Sequence, residues 1–302
     1  MAPINEKKSV PVRMKIQEVR PVHPAIGVEI EGLDLSKPLD SGLVEEVKAL
    51  WQRHQLLLFR GQTLTERQQV DFTRNFGALA IFAESDKQST QNPEILRISN
   101  VAEDGVKLKP DNPINRYYSV LTARWHTDGS YKTIPSLGSV LHSIEVPDTG
   151  GDTCFANTIA AYEALGAEMK RTLDGKHMVH SYDFTRLFAE GVPPLNDQQK
   201  RENAPVTHPV VRTHADGRKG LFISANVAYY VGGMPREDGE KLHTALIAWA
   251  EQPQFVYRHK WSVGDVLMWD NCGTMHRVCE YDSSRYRRVM QRTELMGSEI
   301  PQ

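Results

Sequence analysis

The stretch that decides the fold and the chemistry reads Gly264-Asp265-Val266-Leu267-Met268-Trp269-Asp270-Asn271, and His276 follows it. A second motif, further upstream, reads Trp125-His126-Thr127-Asp128. Together the two motifs offer two imidazoles and one carboxylate, which is the protein ligand set of non-haem Fe(II) oxygenases. We therefore predict a metal site formed by His126, Asp128 and His276.

The spacing within the upstream motif is consistent with this prediction. Residues two apart on a strand point to the same face, so His126 and Asp128 are expected to enter one cavity while Thr127 points away. His276, at the end of a distant strand, would complete one triangular face of an octahedron. Three protein ligands leave positions open for a chelating keto acid and O₂, unlike a closed structural zinc site. A lone His-x-Asp also fits a hydrogen-bonded core histidine, but the pairing with His276 and with two downstream arginines favours the metal site.

Those arginines are Arg288 and Arg292, and each can clamp an anion. Arg288, Met290 and Arg292 share parity on a predicted strand, so both guanidiniums are expected to face the same cavity. A planar guanidinium is a bidentate partner for a carboxylate. Iron beside fixed arginines indicates a keto-acid cosubstrate and an anionic substrate, whereas the competing interpretation is a solvated strand face.

The composition is that of an ordinary globular protein. The chain has 302 residues, of which 40% are hydrophobic and 25% charged, and its formal net charge is −2. This balance gives no general attraction to nucleic acid or anionic lipid. The N-terminus lacks the apolar stretch that a signal peptide requires, no run approaches roughly 18 apolar residues, and the three cysteines imply no disulfide framework. We predict a cytoplasmic protein that binds neither nucleic acid nor membrane.

The chain is predicted to form one domain. No internal repeat or Pro/Gly-rich linker divides it, and we expect a flexible leader over residues 1–14 followed by a single domain over residues 15–302. Many short strands with inserted helices indicate a mainly β fold with flanking α-helices. Its expected core is a double-stranded β-helix (jelly-roll, cupin-like), an architecture that houses ligands between its sheets.

Periodicity predicts the individual elements. Apolar residues at helical spacing predict helices within residues 41–54, 63–76, 158–173 and 237–251. Strands are predicted for the apolar run 55–59, the alternating run 139–146 and the segments 255–261, 266–269 and 287–295. Residues 206–213 and 220–225 are predicted to form a hairpin across Asp216-Gly217. Residues 103–118 are interpreted as a loop and residues 191–204 as a polar insertion.

In this order the motifs resemble the taurine / 2,4-dichlorophenoxyacetate dioxygenase (TauD/TfdA) family of Fe(II)- and 2-oxoglutarate-dependent oxygenases. The similarity extends over roughly residues 20–296. The matching segments lie at residues 57–62, 75–77, 125–128, 150–153, 256–259, 264–271 and 287–295. Among them, the metal triad and the arginine stretch are the specific ones.

The resemblance implies a function and a role for each site residue. It implies an oxygenase that hydroxylates a C–H bond of a small anionic carboxylate or sulfonate, in some cases with cleavage of the product, and that releases succinate and CO₂. Fe(II) would be held by His126, Asp128 and His276, and O₂ would be a cosubstrate. The far carboxylate of 2-oxoglutarate would be held by Arg288 and the Thr153 hydroxyl. Relatives also suggest a homo-oligomer, a dimer or tetramer.

Within the same resemblance, Arg292 matches the position that binds the substrate anion.

Other functions remain open at this stage. The same scaffold could catalyse desaturation or ring closure, or the chain could be a non-catalytic iron or 2-oxoglutarate sensor. A sensor has no need of a second anion anchor, and a zinc hydrolase would require a general base beside the metal. Metal preference and succinate formation would distinguish these alternatives.

Overall fold

The computed structural model describes residues 14–81, 87–109, 112, 119–188 and 194–302, which are rich in short strands. In chain order the strands are β1 (Glu18–Pro21), β2 (Val28–Glu31), β3 (Leu56–Phe59), β4 (Leu96–Ser99), β5 (Gly138–Glu145), β6 (Thr153–Asn157), β7 (His177–His180), β8 (Val206–Pro209), β9 (Val211–Thr213), β10 (Lys219–Leu221), β11 (Ala228–Val231), β12 (Val256–His259), β13 (Val266–Asp270), β14 (Thr274–Val278) and β15 (Val289–Leu295). The helices are α1 (Ser41–His54), α2 (Glu66–Arg74), α3 (Thr158–Glu163), α4 (Ala167–Leu173), α5 (Asp197–Glu202) and α6 (Arg236–Ala250), with 3-10 segments at Asp183–Phe188 and Pro253–Phe255.

Two sheets face each other and enclose the core. The larger has seven strands in the order β1-β2-β3-β13-β5-β15-β4, and the smaller has three in the order β12-β6-β14. Leu58 of β3, Trp269 of β13 and Met290 of β15 meet Phe155 of β6 between the sheets. Strands far apart in sequence are neighbours in both sheets, which is the topology of a jelly roll. The predicted fold class, a double-stranded β-helix core with flanking helices, is confirmed.

Helices α1 and α2 cover the outer face of the larger sheet. Trp51 of α1 and Phe72 of α2 are buried with Phe59 of β3 in one apolar cluster. Asp40 caps α1 through its side chain, and Thr65 caps α2 within a capping box. Such caps satisfy N–H groups that the first helical turn leaves without partners. Capping and apolar spacing together explain why these two helices lie within their predicted ranges.

Helices α3, α4 and α6 cover the outer face of the smaller sheet. Ala161 of α3, Leu173 of α4 and Leu246 of α6 are buried in one cluster with Ala156 of β6 and Met275 of β14. Because successive strand residues point to opposite faces, Phe155 enters the space between the sheets while Ala156 meets the helices. The smaller sheet is therefore covered on both faces.

Some predicted elements differ from the structure. The single helix predicted over residues 158–173 is wrong, since Gly166, whose backbone is extended, separates α3 from α4 and begins the second helix. The hairpin is confirmed for β9 and β10, which pair antiparallel around Asp216-Gly217. β8 was wrongly included in it, since β8 ends at Pro209 and pairs with β7 in another sheet. The polar insertion contains α5, which Asn196 begins with a capping box.

Part of the expected organisation falls on residues that the structure does not describe. The predicted leader lies outside the described residues except for residue 14, and so do residues 110, 111 and 113–118 of the predicted loop. In the part of the chain that is described, none of the helices has both the length and the apolar character required to cross a membrane.

Candidate active site

The structure brings His126, Asp128 and His276 together. One ligand atom from each lies within 4.8 Å of the others. Nε2 of His126 is 3.9 Å from Oδ1 of Asp128, and Nε2 of His276 is 3.8 Å from Oδ2 of the same carboxylate. All three residues are buried. The two imidazole nitrogens and the carboxylate thus converge as the ligands of one metal ion must.

Backbone pairing joins the two motifs directly. His126 donates to the His276 carbonyl over 3.0 Å, and His276 donates back to the His126 carbonyl over 2.8 Å. His276 lies in the middle of β14, not at a strand end as predicted, and His126 forms only an isolated bridge to it. The regular strand expected through His126 and Asp128 is absent because the chain turns there. Gly129 adopts the left-handed conformation at φ 65° in this turn.

Neighbouring groups orient the two imidazoles. Nδ1 of His126 lies 2.7 Å from the Arg124 carbonyl oxygen. A carbonyl only accepts, so Nδ1 carries the proton and Nε2 presents its lone pair toward Asp128. The His276 ring packs between Trp269 and Phe155, with ring centroids 4.9 and 5.9 Å away. Packing and hydrogen bonding therefore direct both Nε2 atoms to one point.

Asp128 is oriented by a chain of hydrogen bonds from the downstream motif. Trp269 Nε1 donates to Oδ1 of Asn271 over 2.8 Å, and Asn271 Nδ2 donates to Ser139 Oγ over 3.2 Å. Ser139 Oγ in turn donates to Oδ2 of Asp128 over 2.9 Å. The conformation of the Trp269-Asp270-Asn271 segment thereby fixes the carboxylate that the upstream motif supplies.

Electrostatics keep the three side chains in the state that metal binding requires. Burial lowers the pKa of His126, and burial together with His126 lowers the pKa of His276 to about 3. Burial alone would raise the pKa of Asp128, but the paired Arg292 guanidinium holds it well below its usual range. Two neutral imidazoles and an ionised carboxylate fit a divalent first-row metal.

Arg292 lies directly beside the triad. Its Nη1 donates to Oδ1 of Asp128 over 2.7 Å, and its Nη2 donates to Oε2 of Glu294 over 3.0 Å. Met290, two residues earlier, enters the space between the sheets, so the parity argument places Arg292 on the expected face. Sequence reasoning did not anticipate that two buried carboxylates already bind its guanidinium.

Arg288 lies at the other end of the same stretch and is 4% exposed. Its Nε donates to the Gly151 carbonyl over 3.2 Å, and among the described residues its buried Nη2 has no hydrogen-bond partner. It lines a cavity of about 230 Å³ together with Asn100, Val278 and Tyr281. A buried guanidinium nitrogen without an acceptor, beside a cavity, fits the carboxylate of a bound keto acid.

Thr153 is buried at the start of β6, where it pairs with Val278 of β14, two residues beyond His276. Its Oγ1 accepts from Trp261 Nε1 over 2.9 Å. A hydroxyl that accepts one hydrogen bond still has its own proton to donate. Thr153 is therefore able to donate to a carboxylate.

Three residues of the site escaped the sequence analysis. Ser139 and Asn271 orient Asp128, and Glu294 binds Arg292. Asn271 stands inside the quoted motif, so its place there was the available signal. Glu294 has the parity of Arg292 on β15, but a carboxylate on a strand gives no sign by itself that it is buried beside an arginine.

Comparisons with known proteins identify the same chemistry. Residues 18–293 match the pattern of the family described as "Taurine catabolism dioxygenase TauD, TfdA family". The alpha-ketoglutarate-dependent 2,4-dichlorophenoxyacetate dioxygenase of Cupriavidus pinatubonensis is 37% identical over 281 residues, covering 91% of this chain and 96% of that protein. The (S)-phenoxypropionate/alpha-ketoglutarate-dioxygenase of Sphingobium herbicidovorans is 30% identical, with coverage of 93% and 95%.

A solved structure is similar over nearly its whole length. It is the structure of AAD-2 in complex with Mn(II) and N-oxalylglycine, with a TM-score of 0.85 and 34% identity, covering 95% of this chain and 98% of that one. Fold, site and relatives together define an oxidoreductase that uses Fe(II), 2-oxoglutarate and O₂. The chain belongs to the TauD/TfdA family of 2-oxoglutarate-dependent dioxygenases.

Proposed function

We propose that this enzyme oxidises a C–H bond of a small organic monocarboxylate, with an aryloxyacetate such as 2,4-dichlorophenoxyacetate as the first candidate. The observation that carries the proposal is the contact of Arg292 with Asp128, which sets a guanidinium against the carboxylate of the metal triad. Relatives that act on 2,4-dichlorophenoxyacetate and on (S)-phenoxypropionate support the aryloxy carboxylate class.

In this proposal His126, Asp128 and His276 hold Fe(II) through the two Nε2 atoms and one carboxylate oxygen. Bound there, iron and 2-oxoglutarate supply O₂ activation coupled to decarboxylation of the keto acid to succinate and CO₂. The bond between Nδ1 of His126 and the Arg124 carbonyl and the bond from Ser139 to Asp128 keep the ligand atoms in place. Their contribution is preorganisation, since they hold the ligand atoms near one another before a metal enters.

Arg288 and Thr153 are proposed to hold the far carboxylate of 2-oxoglutarate. The guanidinium is buried, with Nη2 unpaired among the described residues, and the Thr153 hydroxyl has a proton to donate. Arg292, four residues further along the chain and within β15, is proposed to orient the substrate anion. Anchoring substrate and cosubstrate by separate arginines, one directly before β15 and one within it, would fix which C–H bond faces the metal.

Succinate formation tests the proposal. Anaerobically Fe(II)-loaded protein would be mixed with 2-oxoglutarate, exposed to O₂ and supplied with phenoxyacetates, taurine and alkyl sulfonates in turn. We expect aryloxyacetates to stimulate succinate formation and to yield the corresponding phenol. Stimulation by taurine or sulfonates alone would contradict the carboxylate class. Iron binding without succinate from any compound would favour a sensor.

We propose further that residues 15–302 form one domain, since β1 near one end of the chain and β15 near the other belong to a single sheet. The three cysteines are all free thiols, which supports a reducing, cytoplasmic compartment. Assembly into a homo-oligomer, a dimer or tetramer, stays a prediction that light scattering of the purified protein would check.

A further inference from the structure

A row of alternating charges leads from the surface to the metal triad. Lys132, with 40% of its side chain exposed, has its Nζ 3.7 Å from Oε1 of Glu294, whose side chain is only 3% exposed. Oε2 of Glu294 accepts from Arg292, and Arg292 donates to Asp128. Cation and anion thus alternate from the solvent to the metal ligand, with Glu294 between the two cations.

The carboxylate of Glu294 is held at both oxygens. Arg292 Nη2 donates to Oε2 over 3.0 Å, and Ser136 Oγ donates to Oε1. Lys132 approaches the same Oε1. A buried carboxylate with contacts on both oxygens does not swing out to solvent when a substrate arrives. Its negative charge is therefore a fixed property of the pocket beside Arg292.

This fixed charge changes what Arg292 offers to a substrate. Arg292 carries one positive charge and contacts two carboxylates, Asp128 and Glu294. A metal ion bound by Asp128 would compensate that carboxylate, which leaves Glu294 opposing Arg292. The single positive charge of Arg292 is then shared between Glu294 and an incoming substrate anion. A first negative charge on the substrate meets the guanidinium, whereas a second would be opposed by Glu294 with no further charge on Arg292 to balance it.

We propose that Glu294 is a specificity-determining residue: it neutralises Arg292 so that the pocket accepts substrates with one negative charge and rejects those with two. The inference rests on the proposed function, because it takes Arg292 to be the residue that meets the substrate anion. It adds a residue to the substrate site and a charge limit to the substrate class. Glu294 acts through Arg292 and Lys132 and takes no part in the reaction.

The test is binding to the protein loaded with Mn(II) and N-oxalylglycine, so that no turnover occurs. Calorimetry would compare 2,4-dichlorophenoxyacetate with its uncharged amide, which has nearly the same shape, and with (2,4-dichlorophenoxy)malonate, which carries a second carboxylate on the same carbon. For Glu294→Gln, which keeps the shape and removes the charge, we expect the monoanion to bind about tenfold tighter, because the Coulomb repulsion between the substrate anion and Glu294 is lost. The malonate should gain more, and the amide should not change.

Glu66→Gln is the matched control. Glu66, the first residue of α2, accepts from Gln291 Nε2 over 3.0 Å on the opposite face of β15, so the variant removes the same charge beside the same strand but away from Arg292. We expect no change in selectivity among the three compounds. Lys132→Gln is the reciprocal variant at an exposed position, and it should weaken binding of the monoanion while the amide is unaffected.

The outcomes separate this inference from the proposed function. Binding of 2,4-dichlorophenoxyacetate by the wild type, with the same selectivity in Glu294→Gln and Lys132→Gln, would overturn the role of Glu294 alone. Equal gains or losses of affinity for the anion and the amide would reveal a merely structural effect, and they would also overturn the role of Glu294. If Mn(II) and N-oxalylglycine bind but none of the three compounds binds to any variant, the aryloxy carboxylate class and this inference both fail.

Discussion

Arg292 donates to Asp128 over 2.7 Å, so the arginine proposed for the substrate and the carboxylate proposed for the metal form one buried ion pair. The pair couples the two halves of the site. A change at either residue alters the charge that the other experiences, and removal of one partner of a buried pair leaves the other uncompensated. Substitutions here must therefore be judged by binding measurements on each ligand separately.

Replacing Asp128 with Ala should remove metal binding. Two imidazoles remain, but the anionic ligand and the balance for Arg292 are lost. We expect Mn(II) affinity and coupled succinate formation to fall by more than about a hundredfold, since even outer contacts of metal ligands contribute up to that factor. Calorimetry with Mn(II) measures the metal affinity, and the amount of succinate formed from 2-oxoglutarate measures the coupled activity. The exposed Asp71→Asn is the control, and retained coupled activity in Asp128→Ala would refute the ligand assignment.

Replacing Arg292 with Ala should weaken binding of the substrate and leave binding of 2-oxoglutarate nearly unchanged. A hydrogen bond to a charged group contributes about 1.5–3 kcal/mol, so the Kd for the anionic substrate should rise by roughly ten- to a hundredfold. The Kd of 2-oxoglutarate, which is proposed to be held elsewhere by Arg288 and Thr153, should change little. Arg218→Ala, which removes an arginine paired with Asp216 on the β9–β10 hairpin, is the control. Equal losses for both ligands would contradict separate roles.

Replacing Gly129 with Ala should distort the turn that holds Asp128. At φ 65° a Cβ would lie 2.2 Å from Ser136 Oγ. Gly217→Ala separates the two causes, since Gly217 also has a positive φ of 83° but open space around it. The control should lose about 1–2 kcal/mol of unfolding free energy from backbone strain, and Gly129→Ala should lose more because of the contact. Equal losses of unfolding free energy in the two variants, measured in urea, would show that the contact with Ser136 is relieved at no cost.

The fold and the triad could be predicted because each rests on a local pattern. His126 and Asp128 stand two residues apart, and buried runs such as Leu56 to Phe59 identify strands without reference to distant parts of the chain. The contact between the two motifs could be predicted as well, because together they supply the ligand set of one metal site and must therefore line one cavity. The regular strand predicted through Asp128 was nevertheless wrong. The turn there depends on a single glycine, and the same sequence also fits the alternating pattern of a strand.

The charge environment of Arg292 could not be predicted in this way. The stretch Arg288 to Leu295 shows a carboxylate two residues after an arginine, and on most exposed strands such a pair is solvated. Burial of Glu294 depends on Ser136 and Lys132, which arrive from a loop more than 150 residues earlier in the sequence. A sequence reveals periodicity along an element, but not which polar groups from distant loops it meets.

The metal-free protein should lose stability as the pH falls from about 7. Burial, with His208 and His243 nearby, lowers the pKa of His180 to about 3, while its unfolded value lies near 6.5. Between these values the unfolded chain binds the proton and the folded protein does not, so acidification favours unfolding. His180→Phe, within its aromatic surroundings at Phe222, should flatten the pH dependence of the urea midpoint. An unchanged slope would show that other groups dominate.

Replacing Arg288 with Met should abolish 2-oxoglutarate binding without destabilising the ligand-free protein. The guanidinium is buried, and its Nη2 has no partner among the described residues, so the folded protein bears a desolvation cost that a bound carboxylate would offset. With Mn(II) present, 2-oxoglutarate should raise the Tm of the wild type, because a ligand that binds only the native state stabilises it. In Arg288→Met this rise should vanish while the starting Tm stays equal or increases. The neighbouring Arg287→Gln, which removes an exposed pair with Glu145, should keep the full rise. A retained rise in Tm for Arg288→Met would show that the far carboxylate is held elsewhere. A large drop in the starting Tm of this variant would show that the buried arginine stabilises the ligand-free fold.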